Sequence, residues 1–150
     1  MISRIKELMN SKHSKNVLPV AKSTRNNKSF SHSKVARELI EKGGAAVDPV
    51  NKISKTPLLY ACMEDHLNMV RVLLEFGADP LAKDSLHNEW NALHFAIMQD
   101  NVDVVKALLN EAKVNKDKLP SVVDAVGRKP LVVAEDHFKA KVAEYLKSLE

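Results

Sequence analysis

The residues able to do chemistry are few and scattered. Six histidines occur, His13, His32, His66, His87, His94 and His137, with a single cysteine, Cys62. A nucleophile needs a base in hydrogen-bond reach and a third group to orient that base. No serine, cysteine, histidine and acid set with the spacing of such a site occurs. Asp136 and His137 are neighbours in sequence and so point to different faces, and no third ligand follows at metal spacing. Glu64-Asp65 are adjacent carboxylates at the end of an apolar run, where acids are normally solvated. Gly43-Gly44 lacks the lysine and the glycine spacing of a phosphate loop. Cys62 follows Ala61 in an apolar stretch, and a buried thiol there is unreactive. The sequence therefore predicts no catalytic residue, no cofactor and no metal, and a chain that is not an enzyme.

The elements that would position these residues repeat along the chain. Lys55-Thr56-Pro57-Leu58-Leu59-Tyr60-Ala61 aligns with Trp90-Asn91-Ala92-Leu93-His94-Phe95-Ala96. Both align with Arg128-Lys129-Pro130-Leu131-Val132-Val133-Ala134. The three alanines stand 35 and 38 residues apart. A second stripe follows each segment: Met69, Val70, Leu73 and Leu74, then Val104, Val105, Leu108 and Leu109, then Val142, Ala143 and Leu146. Spacing of i, i+3, i+4 marks helices with one buried face. Thr56 before Pro57 is a cap-plus-first-turn signal, and Pro130 repeats the placement. Gly77 and Gly43 stand where a left-handed helix terminator is expected. Each unit reads as helix, turn, helix, loop, and such a pair buries its face only by stacking on neighbours.

Thr56-Pro57-Leu58-Leu59-Tyr60-Ala61, the stripe Met69–Leu74 and Gly77-Ala78-Asp79 together resemble an ankyrin repeat, whose pattern is T-P-L-H-x-A, an aliphatic stripe, then G-A-D. Residues 51–83 match best. Residues 84–115 also match, with His94 at the family's histidine and Asn91-Ala92 in place of Thr-Pro. Residues 124–150 match as a terminal repeat. The resemblance covers about three quarters of the chain. It implies an all-α ankyrin-repeat solenoid of stacked helix-turn-helix units joined by hairpin-like loops. The expected divisions are a basic segment at 1–34 and an array at 35–150, made of a partial repeat at 35–50, repeats at 51–83 and 84–123, and a C-terminal cap at 124–150. Repeat spacing exceeds the usual ~33 residues, which puts insertions near Ser85–Glu89 and Lys116–Val123. Lys147 replaces Leu74 and Leu109, as a capping repeat requires. Val35–Gly43 reads as a second helix without its first. A helix at 1–10, followed by a loop at 11–33, is expected to stand in for that first helix.

Composition agrees with an aliphatic, stacked core. The chain has 150 residues, 45% hydrophobic and only 5% aromatic. No run of 18 apolar residues occurs, which argues against a membrane-spanning helix, and one cysteine excludes an internal disulfide framework. Charge is uneven. Residues 1–34 carry eight Lys/Arg against Glu7, whereas residues 35–150 carry 15 basic and 18 acidic residues. The head suits nucleic acid, acidic membrane or a transit signal by charge. Its lysine excess and single aromatic, Phe30, speak against base stacking. A solvated arm packing Ile2, Ile5 and Leu8 on the body is the simpler reading.

The resemblance implies protein–protein contact through loop tips and first-helix faces on one concave surface. The family's variable positions fall on Lys52, Ile53, Lys55, Met63 and Glu64, then His87, Asn88, Trp90, Met98 and Gln99, then Ala125, Val126, Arg128, Asp136 and His137. Trp90, the sole tryptophan, is the strongest candidate, because tryptophan is enriched among binding hot spots. Met63 and Met98 offer an adaptable apolar patch, which Leu81, Leu86 and Leu119-Pro120 would extend along the loop tips. His66 and His94 are expected to brace loops. The expected protein is a cytoplasmic monomer that binds a partner protein as adaptor, inhibitor or regulatory subunit. A host-directed effector working in the host cytosol is a narrower version. The alternative is nucleic-acid or acidic-membrane binding through the basic head.

Overall fold

The computed structural model describes the backbone of residues 28–150 and the side chains of residues 32–150. The helix expected at 1–10 lies outside the described residues. Seven α-helices follow: α1 (Lys28–Glu41), α2 (Pro57–Met63), α3 (Leu67–Glu75), α4 (Ala92–Met98), α5 (Val102–Glu111), α6 (Pro130–Asp136) and α7 (Ala140–Ser148), with a 3-10 turn at Lys116–Ser121 between α5 and α6. No strand occurs among the described residues. Pairs α2–α3, α4–α5 and α6–α7 stack in chain order. The short helices α2, α4 and α6 form the inner layer, and α1, α3, α5 and α7 the outer one. Helix α1 opens at Lys28, so part of the stretch expected as a loop at 11–33 is helical.

The caps follow from the local sequence. Thr56 Oγ1 accepts from the Leu59 N–H at 3.3 Å, and Pro57 takes the first turn, where its missing N–H costs nothing. Asn91 caps α4 in the same way. Its Oδ1 accepts from the His94 N–H at 3.2 Å, while His94 Nδ1 accepts from the Asn91 N–H at 3.3 Å. Asn101 caps α5. Lys129 precedes Pro130 without a side-chain cap. Gly77 takes the left-handed conformation after α3, with φ +85°. After α1 that role falls to Gly44, φ +63°, and not to Gly43. Gly43 is needed for a different reason: a Cβ there would sit 2.7 Å from the Leu39 carbonyl oxygen.

The core is the aliphatic seam between the layers. Leu58, Leu73, Leu93, Ile97 and Leu108 are fully buried. Each such side chain removes apolar surface from water worth roughly 1.5–3 kcal/mol. Leu119, expected at a loop tip, is instead fully buried and joins this core. The 3-10 turn of the inserted loop carries it inward against α5.

Polar links tie one repeat to the next. On the outer face Arg37 of α1 donates to Glu75 of α3 at 2.6 and 2.5 Å, and Arg71 of α3 to Glu111 of α5 at 3.2 Å. The next step replaces the acid with an aromatic: Lys106 lies over the Tyr145 ring at 5.3 Å. The turns between paired helices each hold a residue at positive φ, namely Asp65, Asp100 and Phe138. Asp65 accepts from Asn101 Nδ2 at 2.7 Å, and Asp100 accepts from the Val142 N–H at 3.1 Å, so both reach forward into the following repeat. Phe138, at the corresponding turn, is 92% exposed. Lys147 is exposed and pairs with Glu135 at 2.6 Å, giving the last repeat a polar outer position.

Candidate concave interface

Three hairpin-like loops carry the candidate residues, and each is built around one side chain. Asn51 Oδ1 accepts from the Ile53 and Lys55 N–H groups at 3.0 Å each. Asp124 Oδ1 accepts from the Val126 and Arg128 N–H groups at 3.1 and 2.9 Å. Asp84 Oδ1 accepts from the His87 N–H at 3.0 Å. Backbone bonds close each loop: Asn51 to Lys55 at 3.3 Å, Asp84 to Trp90 at 3.0 Å, and Asp124 to Arg128 at 3.1 Å. The middle loop spans two more residues than its neighbours and bends through Asn88 and Glu89 at positive φ. Adjacent loops are also joined, by Ser85 N–H to the Ile53 carbonyl at 3.2 Å and Ala125 N–H to the Asn88 carbonyl at 2.9 Å. The loops therefore form one rigid edge.

Asn51, Asp84 and Asp124 did not emerge from the sequence reading. The signal was present: an Asn or Asp lies four residues before Lys55 and Arg128, and six before Trp90. The two-residue insertion in the middle loop hides the register.

Lys55 leaves the set of exposed contacts. It is 1% exposed, and its ammonium is 3.9 Å from Asp84, 3.2 Å from Met63 Sδ and 5.4 Å from the centroids of Tyr60 and Phe95. A buried lysine needs a carboxylate and polarisable neighbours; the next repeat supplies Asp84 and Phe95, and its own repeat Met63 and Tyr60. Asp84 also accepts from His87 Nδ1. Lys55 thus fastens two repeats from within.

The other candidates lie where a partner can meet them. Lys52, Asn88, Gln99, Ala125, Val126 and Asp136 are exposed. Ile53, Met63, Glu64, His87, Trp90, Met98, Arg128 and His137 are half-buried. Gln99 donates to the Met63 carbonyl at 2.8 Å. Arg128 is held fast: it donates to Asp124 Oδ2 at 2.9 and 2.8 Å and to Asp136 at 3.2 Å. Burial opposes ionisation of Asp124, yet the backbone and guanidinium of Arg128 and the Val126 N–H outweigh it and hold the carboxyl below its usual range.

Trp90 is the centre of an aromatic group. Its ring stacks on His94 at 6.2 Å and meets Phe95 and His137 edge-on at 5.5 and 6.1 Å. His87 adds an edge contact to Phe95 at 5.6 Å. Trp90 thereby spans the seam between the α4 and α6 repeats. Its Nε1 and the Nε2 atoms of His94 and His137 have no hydrogen-bond partner among the described residues. Burial keeps His94 neutral, its pKa brought down to about 4.

Burial pushes the Cys62 thiol well above its usual range, with Asp65 adding to the effect, so the thiolate nucleophile is disfavoured. No group of three or more metal-ligating residues occurs among the described residues. No helix among them is long and apolar enough to cross a membrane.

Paired helices stacked in register, with hairpin-like loops along one edge, define an ankyrin-repeat array. The comparisons agree. Residues 58–109 match the family model for ankyrin repeats. The chain is 47% identical over 51 residues to the Caenorhabditis elegans homolog of ankyrin repeat and LEM domain-containing protein 1, covering 34% of this chain and 7% of that protein. It is 33% identical over 106 residues to a putative E3 ubiquitin-protein ligase, XBAT34, of Arabidopsis thaliana, covering 70% and 27%. The crystal structure of the ankyrin repeat domain of Bcl-3, of the IkappaB protein family, superposes with a TM-score of 0.67 at 25% identity, covering 79% of this chain and 52% of that one. The chain carries ankyrin repeats. It spans about a quarter or less of the length of these two curated relatives. Ankyrin repeats are typically non-catalytic arrays that bind protein partners.

Proposed function

We propose that the protein binds a partner protein through its concave face and acts by occupying that partner's surface, as an adaptor, inhibitor or regulatory subunit. The observation carrying this reading is Trp90, a half-buried indole over the junction of two repeats. Partly buried aromatics flanked by ordered polar groups are the usual anchors of protein interfaces. Met63, Met98 and His137 continue the half-buried floor, and Lys52, Asn88, Val126 and Asp136 form its exposed rim. Locked loops support the reading, because a pre-organised edge loses little entropy on binding. We place the protein in the cytoplasm as a monomer, with a translocated effector as the narrower version.

Capture from lysate tests this with three full-length baits: the unaltered chain, Trp90→Ala, and a head variant with Lys12, Lys15, Lys22 and Arg25 changed to Gln. The expected result is a protein partner retained by the head variant and lost by Trp90→Ala. Retention of nucleic acid or acidic lipid by Trp90→Ala, with steep salt dependence and loss in the head variant, transfers the function to residues 1–34.

A further inference from the structure

Each hairpin-like loop carries one aliphatic side chain at the same register. Ile53, Leu86 and Val126 stand two residues after Asn51, Asp84 and Asp124, the side chains that organise the loops. Leu86 is 63% and Val126 66% exposed, and Ile53 is half-buried. Val50, beside the first loop, is exposed as well. The bonds from the Ser85 N–H to the Ile53 carbonyl and from the Ala125 N–H to the Asn88 carbonyl hold neighbouring loops together. Aliphatic side chains held open on consecutive loops mark a contact surface, whereas single exposed ones are ordinary.

Charge on the same loops is one-sided. Over residues 50–55, 83–90 and 124–129 every acid is committed: Asp84 to Lys55 and His87, Glu89 to Lys83, and Asp124 to Arg128. Lys52 and Lys129 are exposed and form no ion pair among the described residues. Glu64 forms none either, but it closes α2 and does not stand on a loop. The loops therefore offer two open cations and no open acid. Their spacing matters too. Packed helices lie about 8–10 Å apart, and successive loops follow that interval. A polyproline II segment advances about 9 Å per turn of three residues, so every third side chain of such a segment meets one loop.

We propose that the loop edge binds an acidic, extended segment of a partner protein. The segment places an aliphatic residue at every third position, over Ile53, Leu86 and Val126, and turns its carboxylates to Lys52 and Lys129. This rests on the concave-face reading and specifies the chemistry of the partner.

The test is fluorescence anisotropy with the full chain and labelled nine-residue peptides. The probe is three Leu-Pro-Glu triplets. Three Leu-Pro-Lys triplets control for charge, and the probe's residues regrouped as three Leu, three Pro and three Glu control for spacing. The probe is expected to bind about tenfold or more tightly than either control. Leu86→Ser with Val126→Ser should weaken it by about tenfold or more. Lys52→Gln with Lys129→Gln should weaken it severalfold and remove its advantage over the lysine peptide. All four positions are exposed, so the variants leave the core intact. Equal binding of either control, unchanged affinity in both variants, or no binding at millimolar probe overturns the proposal. Lysate capture separates it from the reading it rests on. A partner lost by Trp90→Ala and kept by Leu86→Ser with Val126→Ser overturns this proposal alone. A partner kept by both overturns both.

Discussion

His94 gives the most exacting test of how the repeats are held. Its side chain is fully buried, and burial keeps its pKa near 4 against an ordinary value of 6.5. The Asp124 carboxylate pulls the value up, and Lys83 and Arg128 push it down, but both effects are smaller than burial. The folded pKa is the lower one, so protons bind the unfolded chain more readily. Stability contributed by neutral His94 is full above about pH 6.5 and falls as the pH drops towards 4. By linkage the loss relative to pH 8 is about 1.4 kcal/mol at pH 5.5 and about 2.6 kcal/mol at pH 4.5. Urea unfolding of the unaltered chain and of His94→Gln, from pH 8 to 4.5, measures the difference between their pH slopes. That difference should approach one proton, about 1.4 kcal/mol per pH unit, between pH 6 and 4.5. Parallel curves would refute the assignment of a buried neutral imidazole. Should His94→Gln fail to fold, the His94 ring resonance in the unaltered chain still decides, because a midpoint near 6.5 contradicts the same argument.

Other outcomes follow from single contacts. Asp84→Ala strips Lys55 of its buried carboxylate and His87 of its acceptor, and should cost about 3–5 kcal/mol in chemical denaturation. Leu119→Ala should cost about 2–5 kcal/mol if the inserted loop is part of the core, and almost nothing if it is a loop tip. Phe138→Gly releases a bulky exposed residue from positive φ, and a gain of roughly 1 kcal/mol is expected; a loss would show that the ring packs on something. Gly43→Ala must push the Leu39 carbonyl aside, and should lower the melting temperature in a thermal scan.

Much of the architecture was legible because it repeats. Hydrophobic stripes at helical spacing and the recurring Thr-Pro-Leu, Asn-Ala-Leu and Lys-Pro-Leu starts mark α2 to α7 in the sequence, because each apolar face must bury. The concave surface was legible only as positions. The resemblance put Lys55 among the contact positions, and nothing in its residue type showed that it turns inward. That depends on Asp84, 29 residues later, being brought beside it by stacking. Insertions concealed the rest: two extra residues hid the Asp84 register, and the 3-10 turn drew Leu119 inside.

Local chemistry thus determined the helices, their ends and the need to stack, because periodicity, caps and turns act within a few residues. Tertiary structure alone decided which polar residues are shared between repeats. Lys55 on Asp84, Arg71 on Glu111 and Trp90 on His137 join residues 29, 40 and 47 positions apart. Only the summed rise and twist of the stacked units set those distances. A side chain's choice between solvent and neighbour is made there, and with it the division between residues that hold the array together and residues left free to bind.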